Sequence, residues 1–381
     1  MNLIKLGLYI HIPFCNSKCP YCSFFSIVAE NEFIKRRYLD ALKTEMEIYS
    51  QKFPETVIQS IYLGGGTPTT LSGRLIAEIL ENCHKYFKID KDIEITIESN
   101  PATFDVKKAG MIFQAGVNRL SIGAQSFSNK LLKNIGRIHN KKEIMNSFHI
   151  ARAIGFKNIN IDLMFGLPGQ TIRQFNKTLE EIVQLHPEHI SLYGLSIEQG
   201  TPFEKLSEKG IIKIPSDDIS YTMYQKAIDF FNNYGYKQYE ISNFALPGKV
   251  CFHNRIYWKN QPYLGLGASS TSYIRNIRFK NFSDLSQYIY LLEHNILPIE
   301  SKEILPLKEE MAETVILHLR MMEGLAKSDF IARFKVPIES VFAEQLKRLK
   351  EQGLLDDNES HYFLTRKGVS LSNMVFREFL D

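Results

Sequence analysis

The sequence has no long apolar run. No stretch of its 381 residues reaches the roughly 18 consecutive apolar residues that a membrane-spanning helix needs. The N-terminal segment, MNLIKLGLYIHIPFC, lacks the longer apolar region and the small-residue cleavage site of a signal peptide. We therefore expect no membrane-spanning segment and a cytoplasmic location, while peripheral contact with a membrane stays open.

The net charge is also small. The 46 Lys and Arg residues nearly balance the 42 Asp and Glu residues, which leaves a formal net charge of +4. This balance gives no reason to expect a nucleic-acid partner. Hydrophobic residues at 44% and charged residues at 23% are ordinary for a globular protein, and the length favours one large domain with a smaller one.

Cysteines are few and unevenly placed. The chain has five, of which Cys15, Cys19 and Cys22 lie within eight residues, whereas Cys83 and Cys251 are isolated. An odd number with this clustering makes a poor disulfide framework. In a protein without a leader sequence it favours metal ligation in a reducing compartment.

Short apolar segments alternate with amphipathic helical patterns along the first 240 residues. Strands are predicted at Gly7–Ile12, Ile58–Leu63, Ile93–Ile97, Asn118–Ile122, Asn158–Met164 and His189–Tyr193. Helices are predicted at about Glu32–Gln51, Arg74–Tyr86, Val106–Gln114, Lys141–Ile154, Arg173–Gln184 and Asp217–Asn233. Six successive β–α units predict an α/β protein with a parallel sheet, arranged either as a partial TIM-like barrel or as a doubly wound open sheet.

The positions of the polar motifs favour the barrel. Motifs rich in Gly, Pro or polar residues follow the predicted strands, among them Gly64–Pro68, Glu98–Pro101, Gly123–Phe127 and Asp162–Pro168. In a barrel the carboxyl ends of all strands share one mouth, whereas in an open sheet functional residues gather only at the switch point. We therefore predict a partial (β/α)6 barrel with the functional site at its mouth.

The pattern changes after residue 240. Residues 244–271 are rich in Pro, Gly, Asn and aromatic residues, which predicts an irregular connecting segment. We therefore predict a barrel domain over 1–240, a connecting segment over 241–304 and a C-terminal module over 305–381.

The C-terminal module has the pattern of a winged-helix-like α+β unit. The predicted helices and hairpin strands are Lys308–Met322, Ser328–Arg333, Ser340–Gln352, Leu354–Leu355 and Tyr362–Leu364. This fold often binds DNA, but residues 305–381 hold 11 Lys and Arg against 13 Asp and Glu. That balance favours a packing or interaction module without a nucleic-acid partner.

The spacing Cys15-x3-Cys19-x2-Cys22 is the strongest chemical signal. Three thiolates on one short loop suit an iron–sulfur cube, in which they ligate three irons and leave the fourth without a protein ligand. Structural zinc is the alternative, but zinc prefers four protein ligands, and His11 would have to be the fourth. We therefore predict a [4Fe–4S] cluster on these three cysteines.

The glycine run Gly64–Gly66 is the second signal. Glycines directly after a strand let the backbone approach a ligand closely and expose its polar groups. Alone, the run would predict only a tight turn. Beside a cluster with an open iron, it predicts a site for the amino-acid end of a ligand.

Together these motifs resemble a known superfamily. A Cys-x3-Cys-x2-Cys loop followed by Gly-Gly-Gly-Thr-Pro is similar to the radical S-adenosylmethionine (AdoMet) superfamily. The stretches that begin Tyr9-Ile-His-Ile-Pro-Phe-Cys and Asp162-Leu-Met-Phe-Gly-Leu-Pro-Gly resemble its oxygen-independent coproporphyrinogen III oxidase group, over essentially the whole chain. The resemblance implies that Tyr9, Gly65 and Glu98 surround a first AdoMet. It places these residues around a second AdoMet or the equivalent pocket: Tyr21, Gly66, Thr67, Gln125, Arg137 and Asp162.

The side chains suit these roles. The carboxylates of Glu98 and Asp162 can accept hydrogen bonds from ribose hydroxyls or a ligand ammonium, and Arg137 can bind a carboxylate. The alternative for any one of them is a strand-end cap or a surface ion pair.

Three features depart from the oxidases and resemble a related branch, the haem chaperones. Phe24 occupies the position at which the oxidase pattern has a fourth Cys. The extra N-terminal segment of the oxidases is missing before Cys15. His253-Asn-Arg-Ile-Tyr-Trp258 resembles the His-Asn-x-x-Tyr-Trp signature of the chaperones. This implies His253 as an axial ligand to haem iron, with Tyr257 and Trp258 along the porphyrin face. The alternative is a His that anchors an aromatic loop in the core.

The resemblance therefore implies a haem chaperone with a [4Fe–4S] cluster, AdoMet and haem. It would pass haem to an apo-haemoprotein, the cluster supporting oligomerisation or transfer, and a homodimer stays open. The rival function is a radical enzyme that cleaves AdoMet and oxidatively decarboxylates coproporphyrinogen III to protoporphyrinogen IX. A third is a protein that binds AdoMet without turnover. Phe24 predicts little or no coproporphyrinogen III conversion, but whether the protein is an enzyme stays open.

Overall fold

The computed structural model describes residues 4–28 and 31–380. Its strands are β1 (Ile4–Ile12), β2 (Phe14–Cys15), β3 (Ile27–Val28), β4 (Thr56–Gly65), β5 (Lys88–Ser99), β6 (Arg119–Gln125), β7 (Ile159–Phe165), β8 (His189–Gly194), β9 (Lys237–Glu240), β10 (Asn243–Ala245), β11 (Tyr263–Leu266), β12 (Thr271–Ile274), β13 (Ile277–Asn281), β14 (Ile299–Ile304), β15 (Leu325–Ala326), β16 (Leu355–Asp357) and β17 (His361–Leu364). Its helices are α1 (Glu32–Lys52), α2 (Gly73–Tyr86), α3 (Val106–Gln114), α4 (Asn129–Asn134), α5 (Lys141–Ile154), α6 (Ile172–Gln184), α7 (Pro202–Glu208), α8 (Asp217–Asn233), α9 (Phe252–Trp258), α10 (Leu285–Glu293), α11 (Leu307–Leu319), α12 (Lys327–Phe334), α13 (Glu339–Glu351), α14 (Arg366–Ser370) and α15 (Ser372–Arg377).

All six predicted β–α units are present. The predicted strands correspond to β1, β4, β5, β6, β7 and β8, and the predicted helices match α1, α2, α3, α5, α6 and α8 to within one residue at each end. Local capping explains why the helix limits were predictable. Asn140 and Thr171 begin α5 and α6 with reciprocal bonds to Glu143 and Gln174, a capping box that satisfies the first free N–H groups of each helix.

The six strands pair in parallel and in chain order within a sheet of twelve. No reversal of strand order interrupts them, as it would in a doubly wound sheet. Among the described residues β1 and β8 do not pair with each other; β1 pairs on its outer side with β11, and β8 with β10. The arc is therefore the predicted partial barrel, extended by further strands at both edges.

The concave face of this arc is polar. Ser121 of β6 donates to Asp162 of β7 over 3.0 Å, and Asn160 donates to Ser121 over 2.7 Å. Ser191 of β8 donates to the Asn160 amide oxygen over 3.1 Å. The intervening residues, such as Ile122, are buried and apolar. Successive side chains of a strand point to opposite faces, so the apolar residues pack on one side of the sheet and the polar residues face each other on the other.

The prediction of an irregular segment over 244–271 is wrong. This stretch contains α9 and β11, and β11 pairs in parallel with β1. Its Pro, Gly and Asn residues mark the short turns between these elements, and the pairing with β1 is a long-range contact that local patterns do not reveal. The division of the chain into three domains stays a prediction.

The C-terminal region has the predicted three helices and hairpin. α11, α12 and α13 are followed by β16 and β17, and β15 joins them in a three-stranded sheet of order β15–β17–β16. A backbone bridge between Glu240 and Met321 connects this unit to the edge of the large sheet. No helix in the described part of the chain combines the length and apolar character that crossing a membrane requires.

Glu45 of α1 ties the added strands to the barrel. Its fully buried carboxylate accepts hydrogen bonds from Gly267 N at 2.8 Å, Asn281 Nδ2 at 2.6 Å and the Tyr288 hydroxyl at 2.6 Å. Burial raises the pKa of Glu45 to about 7. Because the folded state then binds a proton that the unfolded state releases near pH 4.5, this group's contribution to stability falls as pH rises from about 4.5 to about 7.

Replacing Glu45 with Ala should lower the free energy of unfolding by about 1–3 kcal/mol for each buried donor left without an acceptor. The loss relative to wild type should be larger at pH 5 than at pH 8, and urea denaturation at both values measures it. Glu47→Gln, an exposed change on the same helix, is the control. An equal loss at both pH values would contradict the assignment of the raised pKa.

Candidate functional site

A cavity of about 510 Å³ opens at the carboxyl ends of the parallel strands. Eleven of the residues predicted as ligands line it: Cys15, Cys19, Tyr21, Cys22, Gly65, Gly66, Thr67, Glu98, Gln125, Arg137 and Asp162. The volume lies within the range of small-molecule and cofactor sites. The fold therefore brings residues from five β–α units to the wall of one cavity. This cavity lies at the edge of the sheet where barrels of this kind have their active sites.

The cysteine loop forms one side of the cavity. Cys15 ends the short strand β2, and Cys19 and Cys22 lie on the turn that follows, where Cys22 N donates to Cys19 O over 3.0 Å. All three thiols are partly exposed, whereas Cys83 and Cys251 are buried away from the cavity. The three clustered cysteines therefore line the cavity and the two isolated cysteines do not, as their spacing in the sequence predicted.

Three thiols on one loop have the ligand chemistry of an iron–sulfur cluster. In the described part of the chain, no group of three or more His, Cys, Asp or Glu side chains already surrounds one point as ligands of a single metal ion do. A [4Fe–4S] cube binds each thiolate through a different iron, so its ligands need not converge on one point. His11 does not complete a four-ligand set, because its Nδ1 pairs with the Tyr9 hydroxyl at 3.0 Å and its Nε2 with Phe25 O at 3.0 Å.

Arg137 is held against the cysteine loop by a hydrogen-bond network. Its Nη1 donates to Cys19 Sγ over 3.4 Å, and its Nη2 donates to Gly123 O over 2.6 Å and to the Asn100 amide oxygen. Asn100 in turn donates to Thr67 Oγ1 over 2.7 Å, and Thr67 lies 3.6 Å from Cys15 Sγ. The network fixes a positive charge beside the thiols. Sequence reasoning gave Asn100 no role, although it belongs to the motif after β5.

The glycine run is required by close packing. Gly65 has a φ of +110°, and a Cβ on it would lie 2.5 Å from the His11 ring; a Cβ on Gly66 would lie 2.8 Å from Phe14 O. The N–H groups of both glycines are already used, by Glu98 and by Ile12 O. These two N–H groups are therefore not free for an incoming ligand, and any side chain at Gly65 would disturb His11.

The two predicted carboxylates, Glu98 and Asp162, are half-buried and line the cavity. Glu98 accepts from the Tyr62 hydroxyl at 2.7 Å and from Gly65 N at 3.2 Å, and Asp162 accepts from Asn160 at 2.7 Å. Burial raises the pKa of Glu98 to about 7 and also raises the pKa of Asp162. Glu98 therefore changes its charge near neutral pH, and Asp162 keeps its proton to a higher pH than an exposed Asp does.

Tyr9 and His253 do not line the cavity. Tyr9 packs on Tyr62 and holds His11 beneath the glycine run. Its contact with a ligand would be indirect in this conformation.

His253 is fully buried in α9. Its Nδ1 pairs with the Ser60 hydroxyl and its Nε2 with the Tyr257 hydroxyl, both at 2.8 Å. Its ring packs against Tyr62 with centroids 5.1 Å apart, and burial lowers the pKa of His253 to about 3. The imidazole is therefore neutral, as a haem ligand must be, but both of its nitrogens are engaged.

The remainder of this motif joins the barrel to the C-terminal region. Glu94 of β5 accepts from the backbone N–H groups of Phe252 and His253 at 3.1 and 3.0 Å, which fixes the start of α9. The guanidinium of Arg320 lies 4.4 Å from the centre of the Trp258 ring. One face of Trp258 is thus covered by a cation rather than free for a porphyrin.

Sequence reasoning missed the polar floor of the cavity. Arg119, Asn160 and Ser191 line it, although their strands were predicted as buried apolar segments. The alternation in Arg119-Leu-Ser-Ile-Gly-Ala-Gln125 is the signal that would have found them, since period-two polarity marks a strand with one apolar and one polar face.

Comparisons with known proteins agree with this geometry. Residues 9–182 match the model of the radical SAM superfamily, and residues 305–371 match that of the HemN C-terminal domain. The chain is 37% identical over 373 residues to the heme chaperone HemW of Bacillus subtilis (strain 168), covering 98% of each. It is 31% identical over 388 residues to the heme chaperone HemW of Escherichia coli (strain K12), covering 100% of this chain and 99% of the relative.

A solved structure shares the whole fold. The coproporphyrinogen III oxidase HemN from Escherichia coli, a radical SAM enzyme, aligns with a TM-score of 0.86 and 27% identity, over 99% of this chain and 90% of its own. Identity above 30% along the full length, with both domain models matched in order, shows the family. The chain belongs to the heme chaperone HemW family of the radical SAM superfamily.

Proposed function

We propose that this protein is a haem chaperone that carries a [4Fe–4S] cluster with AdoMet beside it, binds haem and delivers it to an apo-haemoprotein in the cytoplasm. Family membership supports the function. The observation that carries the cofactors is the meeting of the cysteine loop, the glycine run and Arg137 on one cavity. The part of the proposal that concerns haem rests on the relatives' names and on the His253 motif.

Cys15, Cys19 and Cys22 would hold three irons of the cluster. A cluster with one iron free of protein ligands supplies one-electron chemistry and a coordination site for the methionyl group of AdoMet. Arg137 donates to Cys19 Sγ, and hydrogen bonds to cluster sulfurs are among the features by which a protein tunes the reduction potential.

The first AdoMet would lie between the glycine run and Glu98. Glu98 would accept from the ligand ammonium, and Gly65 would allow the close approach. Asp162, Gln125, Tyr21, Gly66 and Thr67 line the neighbouring part of the cavity with Arg137, where the second AdoMet or its equivalent would bind. Tyr9 would act on the first AdoMet by positioning His11 beneath Gly65.

Haem ligation by His253 requires a movement. In the described conformation Ser60 and Tyr257 occupy both ring nitrogens, and Glu94 holds the start of α9. We therefore propose that α9 shifts when haem binds, which frees Nε2 from the Tyr257 hydroxyl while the imidazole stays neutral.

Radical oxidation of a porphyrinogen is the second candidate. The full-length agreement with the fold of HemN favours it. Phe24 argues against this function. It occupies the position at which the oxidase pattern has a fourth Cys, and it is 69% exposed at the cavity.

The cluster makes the first prediction of this proposal. Changing any one of Cys15, Cys19 or Cys22 to Ser should abolish the visible absorbance and the iron content of the anaerobically reconstituted cluster, because each thiolate is the protein ligand of one iron. Cys83→Ser and Cys251→Ser are matched controls, since both thiols are buried outside the cavity. Stoichiometric zinc without iron in anaerobically purified protein would disprove the cluster.

The second prediction concerns the pH dependence of AdoMet binding. With a pKa of about 7, Glu98 becomes ionised as pH rises through neutrality and then pairs with the ligand ammonium. AdoMet affinity of the wild type, measured by calorimetry on the reconstituted protein, should therefore rise by roughly tenfold between pH 6 and pH 8. Glu98→Gln should remove this rise and bind weakly at both pH values. The exposed Glu208→Gln is the control, and a rise that persists in Glu98→Gln would contradict the role of Glu98.

The third prediction separates haem ligation from packing. His253→Ala should weaken haem binding and shift the Soret band while the iron–sulfur cluster stays intact. Tyr257→Phe keeps the aromatic ring but releases His253 Nε2, so it should bind haem at least as tightly as the wild type. His294→Ala, an exposed His on the surface, is the control.

The same assays decide between the two functions. The cysteine variants should largely keep their haem affinity, and the wild type should convert little or no coproporphyrinogen III. Robust conversion to protoporphyrinogen IX, together with haem affinity indifferent to His253, would overturn the chaperone in favour of the enzyme.

A further inference from the structure

Arg119 is a buried arginine without a partner. It begins β6, is 2% exposed and lines the cavity. No described residue accepts a hydrogen bond from it or forms an ion pair with it, and its Nε is sealed from solvent without an acceptor. Arg137, in the same cavity, donates to three acceptors through its two Nη atoms. The Nη donors of Arg119, which are not sealed, are therefore free for whatever enters the cavity.

The anionic side chains around Arg119 are already occupied. Glu94 accepts from the start of α9, Glu98 from Tyr62 and Gly65, and Asp162 from Asn160 and Ser121. None of them turns an oxygen to the guanidinium within hydrogen-bonding distance. Long-range attraction to these groups offsets part of the charge, but the hydrogen-bonding need of the guanidinium is left unmet.

A guanidinium stays charged at any pH that a protein survives. A buried charge without acceptors costs free energy, so a chain that only needed to fill this space would gain by placing an apolar residue there. The planar fork of Arg matches the two oxygens of a carboxylate. The neighbouring wall supplies further polar groups from Asn160, Ser191 and Asn254.

We propose that Arg119 is a subsite for a carboxylate of the ligand that enters this cavity. It lies at the opposite end of β6 from Gly123, the residue whose carbonyl holds Arg137, about 13 Å farther along the strand at 3.3 Å per residue. It is therefore a separate anchor, deeper than the cysteine loop. The identity of the ligand rests on the proposed function, in which two ligands have a carboxylate that no cluster iron binds: the second AdoMet at its methionyl end and haem at its propionates.

Arg119→Met removes the charge and nearly keeps the length of the side chain. In the reconstituted full-length protein, it should weaken binding of one of these ligands about 10- to 100-fold, the size of a lost charge-assisted hydrogen bond. Decarboxylated AdoMet and haem with both propionates esterified distinguish the sources. If a ligand uses Arg119, blocking its carboxylate should weaken its binding to the wild type as much as Arg119→Met weakens binding of the unblocked ligand. The blocked form should then bind the wild type and Arg119→Met equally. Arg74→Met, an exposed change on α2, is the control.

Ligand-free stability separates this role from a structural one. Arg119→Met should match or exceed the wild-type urea midpoint, because it removes an unpaired buried charge. A lower midpoint combined with unchanged affinity for AdoMet and haem would overturn the proposal. If the Met variant does not fold, Arg119→Lys takes its place, since it keeps the charge but loses the planar fork of donors. It should still weaken binding of the same ligand several-fold. Unchanged affinity for both ligands would again overturn the subsite.

A small probe covers the case in which the wild type binds neither AdoMet nor haem. That result would reject the proposed function, but the carboxylate subsite could still be tested. Sodium propionate should then raise the melting temperature of the wild type and not that of the Arg119 variant. An equal rise in both proteins, or none in either, would reject the subsite.

Discussion

Six strands hydrogen-bonded in parallel determine where most of the candidate ligand-binding residues of this protein lie. Because parallel strands in chain order all end at one edge, the segments that follow them meet there although they are far apart in sequence. Cys15, Gly65, Glu98 and Arg137 come from four different β–α units and line one cavity. The register between β6 and β7 pairs Gly123 with Asp162. It thereby decides which side chains of these two strands lie next to each other in the cavity wall.

The same sheet creates an interior in which charge is costly unless it is paired. Glu98 and Asp162 are satisfied by neutral donors, and burial raises the pKa of each. The two Nη atoms of Arg137 are satisfied by carbonyl, amide and thiol acceptors, although its Nε has no acceptor. A ligand therefore meets groups whose orientation is fixed before it arrives, since turning any of them would leave a buried polar atom without a partner. Arg119 differs from Arg137 in that none of its side-chain donors has an acceptor among the described residues.

The helix α9 couples this interior to the C-terminal region. His253 packs under Tyr62, whose hydroxyl holds Glu98 in the cavity. At the other end of α9, Arg320 covers Trp258, and Arg255 forms an ion pair with Glu323 over 2.8 Å. A shift of α9 would therefore act on the cavity wall and on the C-terminal region together. Direct contacts therefore connect the His253 motif to the cavity.

The sequence by itself determined the elements and the chemistry of the loops. Amphipathic period and capping residues are local, so the helices α3, α5 and α8 were predicted to the residue, and the spacing of Cys15, Cys19 and Cys22 is a property of one short loop. Only the tertiary structure decided that β11 adds to β1, that both nitrogens of His253 are engaged, and that Arg119 has no partner. The physical reason is the same in each case. Burial and pairing depend on residues brought together from distant parts of the chain, and a single sequence records which groups need partners but not which partners they meet.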